Sequence, residues 1–169
     1  MKTKIVGGTL LLHDKDGFKT VKDTLFVDGD HIAGIGSISD DKEYETFDAS
    51  DKLVMPGLIN MHTHAYMTFL RNYADDVEFY EWLFKRVMPV EDNMPLEAAY
   101  WSSLLGYMEM ISTGTTSFVD MHMYLRQAPK AANEIGIRGF IGRGLVGEDL
   151  YKDEGSIRRF NDSLIELEE

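Results

Sequence analysis

The sequence predicts an α/β fold, in which a small β-rich region precedes alternating strands and helices. Residues 1–55 hold β-prone runs separated by glycine-containing turns. Further on, β-prone runs at 53–60, 115–119 and 138–143 are each followed by a helix-forming stretch. Repeated βα units of this kind form parallel sheets. We therefore predict two regions, a β-rich segment at 1–55 and an α/β segment at 56–169.

The β-rich region reads as a small antiparallel sheet. Residues 4–12 form a β-prone run, and an Asp-Gly turn ending at Gly17 follows it. A second Asp-Gly turn, ending at Gly29, separates two further β-prone runs and is a strong hairpin signal. Phe47 is expected on one more short strand. By itself this sheet would have little apolar surface to pack against.

The helices of the second region are marked by proline and glycine. A helix is predicted over residues 77–87 and is expected to close at Pro89. The next helix is expected to begin at Pro95 and to end before Gly114, because proline suits the first turn and glycine the exit. Two more helices are predicted, at residues 127–135 and from residue 156 to the end.

Composition excludes several classes of function. The chain has 169 residues, 44% of them hydrophobic, which is sufficient for an ordinary globular core. The formal net charge of -12 opposes binding to nucleic acid and to anionic membrane surfaces. No apolar run reaches the ~20 residues that a membrane span needs. The absence of cysteine excludes disulfides and thiolate metal sites and fits a cytoplasmic location.

Three βα units are too few to close a barrel, since a (β/α)8 barrel typically needs about 250 residues. Three parallel strands would leave open sheet edges, which favour aggregation. The chain is therefore interpreted as a fragment, a split subunit or an incomplete record of a longer protein. The alternative is a three-layer α/β domain that is complete as it stands.

His62 and His64 are the candidate metal ligands. They stand at i and i+2 where a β-prone run ends, so on an extended strand both side chains would point to the same face. Two neutral imidazoles placed in this way can share one divalent cation. Taken alone, the pattern is more often a pair of partly exposed histidines, and its context decides between the two interpretations.

That context resembles a known family. The string Pro-Gly-Leu-Ile-Asn-Met-His-Thr-His at residues 56–64 is similar to the first barrel strand of the amidohydrolase superfamily. The segments at 67–91, 107–121 and 143–146 are similar to S-adenosylhomocysteine and 5'-methylthioadenosine deaminases. Triazine chlorohydrolases and cytosine or guanine deaminases share parts of the match. The resemblance covers essentially the whole chain.

The resemblance implies the first three βα units of a metal-dependent hydrolase (β/α)8 barrel, preceded by part of a small β-sandwich. It implies one divalent metal, zinc or alternatively iron, held in part by His62 and His64, and hydrolytic release of ammonia from a purine nucleoside thioether. The family takes its other ligands and its proton-shuttling glutamate from later strands. We therefore expect no catalytic residue in this segment and an inactive chain when it is alone.

The same resemblance suggests four substrate-binding residues. Glu91 matches a glutamate that accepts hydrogen bonds from ribose hydroxyls, although a solvated carboxylate at a helix end explains it equally well. Arg143 matches an arginine facing the substrate tail, or alternatively forms a surface ion pair. Arg159, or alternatively its neighbour Arg158, is a candidate second cation. Trp82 lies in a matched segment and is assigned to the pocket. The surrounding aromatic residues and methionines, by their helical spacing, are expected in the core.

Other interpretations remain open. Asp120 and His122, near the end of the second α/β strand, are expected at the barrel rim or behind the metal ligands, with direct metal ligation as the alternative. The same scaffold could act on guanine, cytosine or a chlorotriazine. A third possibility, of another class, is a non-catalytic α/β interaction module. The expected partner is a small heterocyclic substrate, and the complete protein is expected to be a homo-oligomer.

Overall fold

The computed structural model describes residues 1–145 and 152–168, with side chains given up to Glu166. Val146, the last residue of the matched segments, lies outside the described residues. The chain divides into two compact units, Met1–Pro56 and Gly57–Glu169. The assignment of these units to a β-sandwich and a barrel domain stays a prediction.

The first unit consists of two mixed sheets. Its strands are β1 (Lys2–Val6), β2 (Thr9–Asp14), β3 (Gly17–Lys22), β4 (Leu25–Asp28), β5 (His31–Ile35), β6 (Glu45–Asp48) and β7 (Leu53–Val54), and a 3-10 turn lies at Asp41–Glu43. One sheet has the order β5-β4-β1-β6 and the other the order β3-β2-β7. Leu10 and Phe26 are buried on them.

The predicted antiparallel sheet is wrong in two respects. The β1–β6 and β2–β7 pairs are parallel, so each sheet mixes both pairings. The single strand expected over residues 4–12 is broken at Gly7, whose φ of 78° lies in the left-handed region that glycine adopts without steric cost. The two predicted turns are confirmed, with hairpins that pair Asp14 with Gly17 and Asp28 with His31.

The second unit is built on a parallel three-stranded sheet, as predicted. Its strands are β8 (Leu58–Thr63), β9 (Thr115–His122) and β10 (Arg138–Arg143), in the order β10-β9-β8. The run at 53–60 does not form one strand, because Pro56, which lacks an N–H, lies in a break between β7 and β8. The three described strands form an open sheet and not a closed barrel.

The helices of the second unit follow the predictions except around Pro89. Its α-helices are α1 (Met88–Glu91), α2 (Leu96–Ser112), α3 (Gln127–Ile135) and α4 (Glu154–Glu168), with a 3-10 segment at Ala65–Leu70 and a π-helical segment at Glu81–Val87. The expected stop at Pro89 is wrong, since the π-helical segment continues directly into α1 and the helix runs past Pro89 to Glu91. No helix in the described ranges is long and apolar enough to cross a membrane.

The core of the second unit lies between the sheet and α2 and α3. Tyr107 of α2 stacks on Phe118 of β9, with ring centroids 4.4 Å apart, and both side chains are fully buried. Ala131 of α3 packs in the same cluster. This packing places the ends of β8 and β9, which carry the candidate site, side by side.

Candidate functional site

The two candidate metal ligands meet at the end of β8. His62 lies on the strand, whereas His64 is the first residue beyond it. Their Nε2 atoms are 3.1 Å apart, and the rings stand at 87° to each other. His62 is exposed and His64 is half-buried. The two ring nitrogens therefore converge on one point that is accessible from solvent.

The hydrogen bond on the far side of His64 selects its tautomer. His64 Nδ1 lies 3.0 Å from the backbone oxygen of Met121. Because a carbonyl oxygen only accepts, Nδ1 carries the proton and donates it, which leaves Nε2 with a free lone pair. A backbone carbonyl in this position is a common orienting partner of metal-binding histidines.

This pair fits part of a zinc site. Two imidazole nitrogens on one tetrahedral zinc lie roughly 3.3 Å apart, since each Zn–N bond is about 2.0–2.1 Å long, and the observed separation is 3.1 Å. Three or more protein ligands are usual. The described residues contain no group of three or more histidine, aspartate or glutamate side chains that could hold a metal ion.

Asp120 and His122 lie behind the histidine pair on β9, and both are buried. Both ring nitrogens of His122 are engaged: Nδ1 accepts from the Tyr124 N–H at 2.8 Å, and Nε2 lies 2.9 Å from Ser103 Oγ. Burial, together with the positive charge of Arg143, lowers the pKa of His122 to about 3. His122 is therefore a neutral, fully hydrogen-bonded side chain with no nitrogen free for a metal.

A cavity of about 200 Å³ opens beside His64. Trp82 and Glu91 line it, together with Tyr66, Phe79 and Leu83 and four methionines, Met67, Met88, Met121 and Met123. Apolar walls with a few polar groups are typical of small-molecule sites. The structure thus brings together three of the sequence-predicted residues: His64, Trp82 and Glu91.

Glu91 is buried, so its interpretation as a solvated helix-end carboxylate is wrong. It ends α1 but turns inward, and Tyr66 donates its hydroxyl hydrogen to Glu91 Oε1 at 2.6 Å. The Tyr124 hydroxyl donates to the Glu91 backbone oxygen. Burial raises the pKa of the Glu91 carboxyl, and the hydrogen bond from Tyr66 acts in the opposite direction.

A second cavity of about 300 Å³ shares Glu91 and Met123 with the first. Both arginines proposed from the sequence, Arg143 and Arg159, line it. The two cavities together extend from His64, past Glu91, to these guanidinium groups.

Both arginines already have carboxylate partners. Arg143 pairs with Glu166 at 3.1 Å, and Arg159 pairs with Asp92 at 2.7 Å. The side chains of Arg143 and Arg159 are only 8% and 9% exposed. Arg143 therefore does form an ion pair, but a buried one, and the expectation that the pair lies at the surface is wrong. Each pair neutralises most of its own charge, which leaves binding of a substrate anion by these arginines a prediction.

The expectation that the methionines and aromatic residues form core is wrong at several positions. Met61, Phe79 and Met108 are 69%, 64% and 52% exposed, respectively. Met61 lies on β8, where no described element covers most of its side chain. Helical or strand spacing predicts which face a residue takes but not whether another element covers that face.

Tyr66, Tyr107 and Tyr124 are the site residues that the sequence did not reveal. Each donates a hydrogen bond to Glu91 or Asp120 across at least 13 positions of the chain. No local spacing rule relates residues so far apart. The available signals were the position of Tyr66, two residues after the His-x-His pair, and that of Tyr107, at the start of a segment that resembles the family.

Comparison with known proteins identifies the family. Residues 53–168 match the model of the amidohydrolase family. The chain is 42% identical, over 85% of its length, to the 5-methylthioadenosine/S-adenosylhomocysteine deaminase of Thermoanaerobacter pseudethanolicus. It is 39% identical, over 86% of its length, to the 5'-deoxyadenosine deaminase of Methanosarcina mazei. These alignments span 34% and 33% of the two relatives, so the chain spans about a third of their length.

A solved structure has a similar fold. The atrazine chlorohydrolase of Arthrobacter aurescens, crystallised with zinc, superposes with a TM-score of 0.75 at 21% identity. The superposition covers 86% of this chain and 37% of that one. At this identity the likeness concerns the fold alone.

Proposed function

Because this chain belongs to the amidohydrolase family, we propose that it forms the N-terminal part of a metal-dependent deaminase barrel. The substrate would be a purine nucleoside thioether of the 5'-methylthioadenosine or S-adenosylhomocysteine type, with release of ammonia. The names of both relatives support an adenine nucleoside over guanine, cytosine or chlorotriazine as substrate, and the name of the first supports a thioether. A cytoplasmic location and assembly into a homo-oligomer stay predictions.

The observation that carries the proposal is the convergence of the His62 and His64 Nε2 atoms beside an apolar cavity. Without a cation, His62 Nε2 can donate a hydrogen bond to His64 Nε2 across this 3.1 Å. With His62 in its other tautomer both nitrogens present lone pairs to the same point, which suits a shared cation. A zinc or iron ion held there would supply Lewis acidity, which makes hydroxide available near neutral pH. The remaining ligands and the proton-transfer group would come from outside the described residues.

The described residues would then bind and orient the substrate. The apolar wall around Trp82 and Met67 suits a flat purine ring, which would lie close to His64. Glu91 keeps Oε2 available after Tyr66 has occupied Oε1, so it can accept from ribose hydroxyls. Arg143 and Arg159 line the adjoining cavity, where the 5' substituent would extend.

A substrate panel tests the proposal directly. The complete gene product, loaded with Zn²⁺, should release ammonia from 5'-methylthioadenosine, S-adenosylhomocysteine or 5'-deoxyadenosine, and far more slowly from guanine or cytosine. Ammonia is measured by a coupled enzymatic assay, and bound metal by elemental analysis. Release from guanine or cytosine alone would reject the proposed substrate class, and no release from any compound would reject the enzyme.

Glu91→Ala is expected to reduce activity on nucleosides more than activity on free bases. Loss of hydrogen bonds to ribose should lower kcat/KM for nucleosides by about 5- to 150-fold, equivalent to about 1–3 kcal/mol. Activity on a free base with the same ring should change much less. The comparison is made by steady-state kinetics.

Glu97→Ala is the matched control, since Glu97 is an exposed carboxylate in the first turn of α2. It should leave both activities unchanged. Equal losses for nucleoside and base in Glu91→Ala would contradict a ribose contact.

A further inference from the structure

The segment that follows β8 is held from β9. His64 donates from Nδ1 to the Met121 backbone oxygen at 3.0 Å. The next residue, Ala65, donates its backbone N–H to Asp120 Oδ1 at 3.3 Å. Two consecutive residues of β9 therefore hold two consecutive residues at the candidate metal site, one through a ring and one through the backbone.

Asp120 is itself anchored from α2. It is 1% exposed, and its second oxygen, Oδ2, accepts the Tyr107 hydroxyl hydrogen at 2.8 Å. A buried carboxylate destabilises a protein unless its oxygens are hydrogen-bonded, and here each oxygen has a donor. Tyr107 is fixed in turn by its stacking on Phe118.

The backbone of α2 packs against the same segment. A Cβ built at Gly106 would lie 3.1 Å from the backbone oxygen of Ala65 and 3.2 Å from the Cβ of Ala65. Only glycine therefore fits here without displacing Ala65. Thr68 also donates to the Ser102 oxygen at 2.7 Å. Residues 64–68 thus have little freedom to move away from β9.

We propose that Asp120, supported by Tyr107, is a positioning residue for His64. By holding the Ala65 N–H, Asp120 keeps the His64 ring within reach of the Met121 oxygen and so fixes the tautomer that leaves Nε2 free. This inference rests on the proposed function, because it assumes that His64 binds the metal. Asp120 acts through hydrogen bonds and not through its charge, and it does not touch the metal.

The test compares variants of the complete gene product in two measurements. Side-chain ¹⁵N NMR without metal reports the His64 tautomer, and calorimetric titration reports Zn²⁺ affinity. Asp120→Ala should give a mixture of His64 tautomers and about 10- to 100-fold weaker Zn²⁺ binding, the usual loss for a residue that orients a ligand. Asp120→Asn should restore both, because its amide oxygen still accepts from Ala65.

Tyr107→Phe and Tyr100→Phe form a matched pair for the case in which Asp120→Ala does not fold. Each variant removes from α2 one hydroxyl that donates to a carboxylate. Tyr107 donates to Asp120, whereas Tyr100 donates to Glu134 on α3, away from the histidine pair. Only Tyr107→Phe should shift the His64 tautomer and weaken Zn²⁺ binding.

The inference would be overturned if Asp120→Ala folded and kept the wild-type tautomer and affinity. It would also be overturned if Asp120→Asn behaved like the alanine variant, or if the two tyrosine variants were alike. Failure of the proposed function is distinguishable from these outcomes. In that case the wild-type chain would not bind Zn²⁺ through His64, while the tautomer measurement without metal still reports on Asp120.

Discussion

His64→Ala is expected to remove nearly all the bound zinc from the complete gene product and to abolish ammonia release. Loss of an orienting partner behind a metal ligand costs 10- to 100-fold in affinity, so loss of the ligand itself should cost more than about 100-fold. His62 and His64 each supply one Nε2 atom to the candidate metal site, so His62→Ala should behave in the same way. Metal content per subunit, measured after dialysis, is the direct readout.

His31→Ala supplies the control for this experiment. It also removes an imidazole, but one on β5 whose side chain is 83% exposed. Its zinc content and activity should match those of the wild type. Wild-type zinc occupancy in both His62→Ala and His64→Ala would remove the metal assignment.

Acidification is expected to destabilise the folded chain through His122. Its pKa is 6.5 in the unfolded reference and about 3 in the folded chain, where burial and the charge of Arg143 oppose protonation. Between these values the unfolded state binds one more proton than the folded state. The contribution of His122 to the free energy of unfolding is therefore complete above pH 6.5. It is lost as the pH falls towards 3, at up to about 1.4 kcal/mol per pH unit.

Urea unfolding at several pH values between 4 and 7 measures this effect. The free energy of unfolding should fall more steeply with acidification in the wild type than in His122→Asn, because other titrating groups are shared by both proteins. His31→Asn should keep the wild-type slope, since it removes only an exposed imidazole. Equal slopes for the wild type and His122→Asn would contradict this prediction, because they would show that His122 takes up its proton equally in the folded and unfolded states.

Local signals predicted the helices well. The helix after Pro95 ends at Ser112, and the one at Gln127–Ile135 has the predicted bounds, ending before Gly136, whose φ is 77°. Helix ends depend on the first and last turns, so a few neighbouring residues are sufficient to locate them. The error at Pro89 has a local cause too, because Pro89 directly follows a π-helical segment, whose hydrogen-bond pattern differs from that of an α-helix, and the helix continues past it.

Strand pairing was less predictable. The parallel β1–β6 and β2–β7 pairs join residues about 42 to 44 positions apart, beyond the range of any hairpin rule. Turn signals could predict only the antiparallel hairpins between consecutive strands. The mixed character of both sheets in the first unit therefore emerged only with the structure.

The sequence alone determined the α/β alternation, the His-x-His pair and the family resemblance, since each depends on residue types at short spacing. Only the tertiary structure decided that Glu91 is buried beneath Tyr66, that His122 has no free nitrogen, and that Asp120 holds the Ala65 N–H. Most of these contacts join residues 19 to 55 positions apart. The exception is the hydrogen bond from the Tyr124 N–H to His122, which forms in the turn just after β9. Burial and hydrogen bonding at such separations depend on how α1, α2 and β9 pack, which no local pattern encodes.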